Sequence, residues 1–259
     1  MSNFQIKSGS WIDPLGRPAR VDGVAIDEGL RAYMLRVYNW MASGLLLTGI
    51  IAFLLVNTGL YSVFFSQVRT PAGMAVAPTI LGWVAMFAPL AFILVLSFGI
   101  NRLSAVAAQA LFWAFCVVMG VSMTSILLTF TGQSIATTFF ITAGTFAAMS
   151  LIGYTTQRDL TKMGSFLLMG LIGIILASVV NIFLGSSALH FAISVLGVLI
   201  FVGLIAYDTQ RIKNDYVEYA YAEGTELAGK RSVIDALTLY LNFINLFQFL
   251  LSLIGQRQE

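Results

Sequence analysis

Five stretches of this chain carry no Asp, Glu, Lys or Arg, and together they make up most of it: residues 37–68, 70–101, 103–157, 163–207 and 236–256. A helix needs about 20 consecutive apolar residues to cross a bilayer. The stretches are 32, 32, 55, 45 and 21 residues long, which gives one, one, two, two and one spans. Seven transmembrane helices are therefore expected, over about residues 38–60, 79–99, 104–128, 135–154, 164–184, 189–208 and 235–254. Pro71 and Pro78 fall in the first loop. Thr131-Gly132-Gln133-Ser134 and Gly185-Ser186-Ser187 supply the turns that divide the two longest stretches.

Composition agrees. Hydrophobic residues make up 58% and charged residues 10% of the 259, against about 25% charge in an ordinary soluble domain. The fold class is an all-α integral membrane protein whose solvent is the lipid bilayer. Residues 1–36 form a polar N-terminal segment with no apolar core of signal-peptide type, and residues 37–255 form the transmembrane domain. A net charge of +2 gives no reason to expect nucleic acid as a partner. Cys116 is the only cysteine, so no intrachain disulfide can form.

Lysine and arginine placement sets the expected orientation, because cytoplasmic loops keep an excess of positive charge. With the N-terminus cytoplasmic, twelve of the fourteen basic residues lie inside, and only Arg69 and Arg257 lie outside. An odd number of spans then leaves the C-terminus outside. Trp40 and Tyr61 mark the two interfacial ends of the first span.

No catalytic arrangement stands out. His190 is the single histidine, expected to be isolated near an outer helix end, so no serine gains a base and no metal-ligand spacing exists. A glycine loop of the phosphate-cradling type is missing as well. The reading is a protein that is not an enzyme and needs no cofactor or metal. Glycines 164, 170, 173, 197 and 203 read as close-packing positions between helices.

Ionisable groups in membrane helices are costly and therefore suggest function. Asp208 sits at the inner end of the sixth span, where the helix dipole is unfavourable to an acid. Either the helix continues or the carboxylate has a partner, of which Arg211, three residues on, is the local choice. The hexapeptide Ala206-Tyr207-Asp208-Thr209-Gln210-Arg211 resembles Gly153-Tyr154-Thr155-Thr156-Gln157-Arg158, 53 residues earlier, with threonine in place of the acid. The turn itself thus does not need a carboxylate. On the seventh span Asp235, Thr238, Asn242, Asn245, Gln248 and Ser252 fall within roughly 140° of a helical wheel. Such a stripe either glues helices by hydrogen bonds or lines a hydrated path. Asp235, at the inner end of its expected span, reads first as an acid complementing the helix dipole. Pro89 interrupts the second span and frees a carbonyl.

The Tyr207-Asp208-Thr209-Gln210 end of one span, followed by Leu239-Tyr240-Leu241-Asn242-Phe243-Ile244-Asn245-Leu246-Phe247, resembles the transmembrane BAX inhibitor motif family, particularly its bacterial branch. The resemblance covers about residues 30–255. It implies a seven-helix fold whose last helix is central and wrapped by the other six, and a pH-sensitive calcium leak. It further implies a latch of two carboxylates near the cytoplasmic side, one on the sixth helix and one on the seventh. Asp208 matches the first and Asn242 stands at the second, a departure from the pattern. The family's charged partners on the second helix are also missing, since that span is neutral up to Arg102.

Two carboxylates in contact share a proton and titrate together, which an Asp–Asn pair cannot do. An asparagine amide instead donates permanently, as a protonated acid would. The expected function is a passive cation leak with calcium as the permeant ion. Asp208, Asn242, Asn245 and Arg211 form its pathway and gate, with Asp235, Thr238 and Gln248 as further candidates. The rival reading is an interaction protein that modulates a membrane-bound ATP-dependent protease or a stress response through its N-terminal segment. A coupled transporter is a third. The expected location is the bacterial inner membrane.

Overall fold

The computed structural model describes residues 23–70, 73–99, 103–219 and 225–258. Lys7, Arg17 and Arg20 of the N-terminal segment, Pro71 and Arg102 lie outside the described residues. Among the described residues seven α-helices follow one another: α1 (Gly23–Thr58), α2 (Ile80–Gly99), α3 (Ala105–Thr129), α4 (Gly132–Thr155), α5 (Thr161–Leu184), α6 (Ser187–Tyr219) and α7 (Thr225–Ile254). Six of them are long and apolar enough to cross a membrane, and α2 is a shorter apolar helix. The chain is a helical membrane protein.

Local chemistry sets the helix ends. The Ser104 hydroxyl accepts from the Ala107 amide at the start of α3, and Thr131 does the same for Ser134 at the start of α4, each occupying a donor the first turn leaves free. Gly59 and Gly185 end α1 and α5 in the left-handed region, at φ +74° and +59°, where a side chain would be strained.

Four helices reach beyond the neutral stretches, α5 by taking in Lys162 at its start. α1 begins at Gly23, α6 runs on to Tyr219 and α7 begins at Thr225. Asp208 therefore lies inside a helix that continues past it by three turns. Asp235 lies ten residues into α7, which overturns the reading of it as a residue of the helix start that complements the dipole.

Between α1 and α2 the chain forms an antiparallel hairpin, β1 (Phe65–Thr70) and β2 (Gly73–Pro78), with Phe65 opposite Pro78 and Thr70 opposite Gly73. Only a loop was expected there. After α7 the tail pairs with the α3–α4 turn: the Thr131 amide donates to the Gln256 carbonyl and the Gln258 amide to the Thr129 carbonyl, both at 2.9 Å. This pairing holds Arg257 opposite Phe130.

Packing separates helices that face protein from helices that face lipid. Half of the apolar span of α7 is buried (50%), against 11% for α5. α7 packs on α1, α3, α4 and α6. Tyr240, Leu239 and Leu246 of α7 meet Val37, Phe112, Phe115, Ile205 and Ile212 in the core. Outward-facing Phe140, Phe166, Ile182 and Phe183 are exposed, as a bilayer-facing surface requires.

Candidate functional site

α6 and α7 run side by side, and the stripe on α7 divides into two groups according to what it meets. The first group surrounds Asp208. The Asn242 side-chain amide donates to Asp208 Oδ2 at 2.7 Å, and Arg211 Nη2 lies 3.0 Å from Asp208 Oδ1. Asp208 and Asn242 are both buried, at 6% and 5% exposure. Each carboxylate oxygen thus has its own donor, one neutral and one charged. A buried carboxylate needs this, because its charge has lost water.

Asp235, further toward the start of α7, accepts a 2.6 Å hydrogen bond from the Tyr33 hydroxyl of α1. Arg211, Asp215 and Arg231 are the charges within electrostatic reach of it. Tyr33 also stacks on Tyr216 of α6, with ring centroids 4.8 Å apart. Arg211, which is paired with Asp208, thus also acts as a favourable charge on Asp235 of the neighbouring helix. Thr238 returns its hydroxyl to the Ile234 carbonyl of its own helix, at 3.2 Å, and bonds to neither acid.

The second group of the stripe faces a cavity of about 710 Å³ between α2, α3, α6 and α7. Along α7 its wall runs from Leu241 to Ser252, including Asn245 and Gln248, and ends at Gly255 just past the helix. That is about 20 Å of helix. Asn245 donates to the Leu241 carbonyl at 2.8 Å, and Gln248 reaches Met123 Sδ at 3.4 Å. Pro89 of α2 also lines the cavity. Near the Asp208–Asn242 pair the wall is apolar, made by Leu241, Ile244 and Met119. Asn242, the next residue after Leu241, is not part of it.

At the far end the wall holds Arg257 and His190. His190 is not isolated, contrary to its expected placement. Its Nε2 lies 2.9 Å from Ser252 Oγ, which lies 3.0 Å from Ser194 Oγ. No spacing in the sequence joins residues 190 and 252, so this contact becomes visible only once α6 and α7 are packed. Among the described residues no cluster of three or more His, Cys, Asp or Glu side chains has the arrangement of a metal site.

The repeat also takes on a physical meaning. Gly153 of the first copy abuts the backbone of Ala206, its counterpart in the second. Gln210 bridges the α4–α5 connection, accepting from the Leu160 amide and donating to the Arg158 carbonyl, both at 2.8 Å. Lys213 donates to the Tyr154 carbonyl at 2.8 Å. These bonds tie the end of α4 to the middle of α6, beside Asp208.

A polytopic helical membrane protein with one ionisable residue clamped between its last two helices is the class that this fold and site define. The chain belongs to the Bax inhibitor family: the family model described as Inhibitor of apoptosis-promoting Bax1 matches residues 30–259. Among its relatives, an uncharacterized protein of Rickettsia prowazekii is 47% identical over 235 residues, covering 90% of this chain and 93% of that protein. An uncharacterized protein of Caulobacter vibrioides is 46% identical, covering 93% and 95%. Inner membrane protein YbhL of Escherichia coli K12 is 44% identical, covering 89% and 94%.

Proposed function

We propose that this protein is a pH-modulated passive cation leak of the membrane, with calcium as its permeant ion and the Asp208–Asn242 contact as its gate. The observation that carries this reading is a buried carboxylate bridging α6 and α7 one residue beyond the end of a cavity lined by Asn245, Gln248 and Ser252. An ion entering that cavity meets neutral oxygens first and then the apolar layer of Leu241, Ile244 and Met119. Opening the path requires α7 to move at that layer, and the Asn242–Asp208 bond beside it ties α7 to α6.

In this reading α7 is the central helix, wrapped by the other six. Twelve of the fourteen basic residues lie on the cytoplasmic side together with the N-terminus, and the cavity opens to the outside. The inner membrane location rests on the resemblance to the E. coli protein of that name. Because Asn242 does not titrate, pH acts at the gate through Asp208 alone, and the response is shallower than that of a two-carboxylate latch.

The test is calcium flux into proteoliposomes at pH 5, 6, 7 and 8, comparing the native chain with Asp208→Ala and Asn242→Asp in the same lipid. Flux above that of empty liposomes, altered by Asp208→Ala, supports the leak. No flux in any variant turns the assignment to the interaction protein, whose contact segment would be the N-terminal tail and whose partner would be a membrane-bound protease.

A further inference from the structure

α1 and α4 both pack on the core but make no extensive contact with each other, and the gap between them is a long groove on the lipid-facing side. One part, about 550 Å³, is lined by Arg31, Met34, Leu35 and Tyr38 of α1 and by Ala147 and Leu151 of α4, among others. The next part, about 680 Å³, continues between Met41 and Leu54 of α1 and Phe139 and Phe146 of α4. Phe146 belongs to both walls, so the two parts adjoin. From Arg31 to Leu54 the groove follows α1 for about 35 Å, enough to cross the hydrocarbon of a bilayer.

The charges in this groove are one-sided. Among the described residues Arg31 is the only charged side chain on either wall, and it makes no ion pair. The tyrosines Tyr38 and Tyr154 line the same end. The Tyr38 and Ser150 hydroxyls share a hydrogen bond of 2.5 Å. Tyr154 has Lys213 Nζ 5.3 Å from its ring centre, and that ammonium uses one of its three donors on the Tyr154 carbonyl. The nearest acid along α1 is Glu28, one turn before Arg31, and Asp215 and Glu218 follow Lys213 on α6. Neither Arg31 nor Lys213 is paired with any of them.

An apolar slot ending in one cation that has no ion-pair partner matches one kind of occupant. We propose that the α1–α4 groove is a binding site for an anionic phospholipid, its acyl chain lying along Leu35, Ala147 and Leu151 and its phosphate at the Arg31 guanidinium. Basic pockets between membrane helices hold anionic headgroups in this way. A zwitterionic lipid fills the slot equally well but carries a compensating cation near Arg31, so headgroup charge decides between them. The site is independent of any ion conduction through the α7 cavity.

The test measures the thermal unfolding of delipidated protein in a neutral detergent, with phosphatidylglycerol or phosphatidylcholine of identical chains added. Phosphatidylglycerol is expected to raise the midpoint by about 4 °C more than phosphatidylcholine. Arg31→Gln abolishes the difference, and Arg31→Lys keeps most of it. Ala147→Phe, which fills the slot, removes the gain from both lipids. Glycerol 3-phosphate, a headgroup without chains, gives no shift. Equal shifts from the two lipids in the native chain, or an unchanged difference in Arg31→Gln, overturn the proposal. So does a change of oligomeric state in Ala147→Phe, which would mean that a second copy of the chain covers the groove.

Discussion

Asn242 donates to one oxygen of Asp208 at 2.7 Å while Arg211 holds the other at 3.0 Å. The two donors differ in kind, since the arginine comes from the same helix as the acid and only the asparagine joins α6 to α7. The cross-helix part of the clamp is therefore one neutral amide. Asn242→Asp replaces that donor by a second carboxylate at hydrogen-bond distance. At low pH a shared proton restores the bond. As pH rises, two ionised carboxylates repel and the helices are driven apart. Calcium flux of this variant should therefore rise with pH across 5–8 more steeply than that of the native chain. An unchanged profile sinks the gate assignment.

Asp208→Ala removes the acceptor of two donors at once. The Asn242 amide, buried at 5% exposure, is then left without a partner, which costs about 1–3 kcal/mol. Arg211 is 39% exposed and can turn to water, so it adds little. Asp208→Asn keeps an acceptor for Asn242 and should lose clearly less stability. Thermal unfolding in one detergent ranks the three proteins, and equal midpoints for the two variants would mean that the amide bond contributes nothing.

How much of this was legible in the sequence depended on whether a feature is local. Neutral stretches and turn residues gave the helices and their number, because lipid demands apolar residues on every exposed face. Helix extensions such as residues 209–219 of α6 were hidden, since outside the lipid a helix needs no neutral composition. The hairpin at 65–78 leaves no period-two signal, because Phe65 and Val68, the apolar residues of β1, fall on opposite faces and β2 ends in Pro78. Contacts such as His190–Ser252 and Tyr33–Asp235 depend on how helices rotate against each other. The juxtaposition of Asp208 and Asn242 came from family resemblance, not from spacing.

Gly153 shows what that rotation demands. A methyl group built there runs into the backbone of Ala206, and backbone cannot move aside as a side chain can. Gly153→Ala should destabilise the protein by about 1–3 kcal/mol through overpacking. Gly173→Ala on α5, where nothing lies within 4 Å, should be neutral or slightly stabilising through helix propensity. Comparing the unfolding midpoints of the two variants checks whether α4 and α6 meet as closely as described.

Arg257 supplies a test at the other end of the cavity. Among the described residues it is the only charged one on the wall, held there by the backbone pairing of Phe130 with the tail. A fixed positive charge at the mouth lowers the local concentration of a divalent cation, and does so twice as strongly as for a monovalent one. Arg257→Gln should raise calcium flux several-fold, and should raise potassium flux less. The gain should shrink as ionic strength increases, because the charge is screened over about 8 Å in physiological salt. Flux that stays the same in Arg257→Gln at low salt would mean that calcium does not enter through this cavity, and the path along α7 would have to be given up.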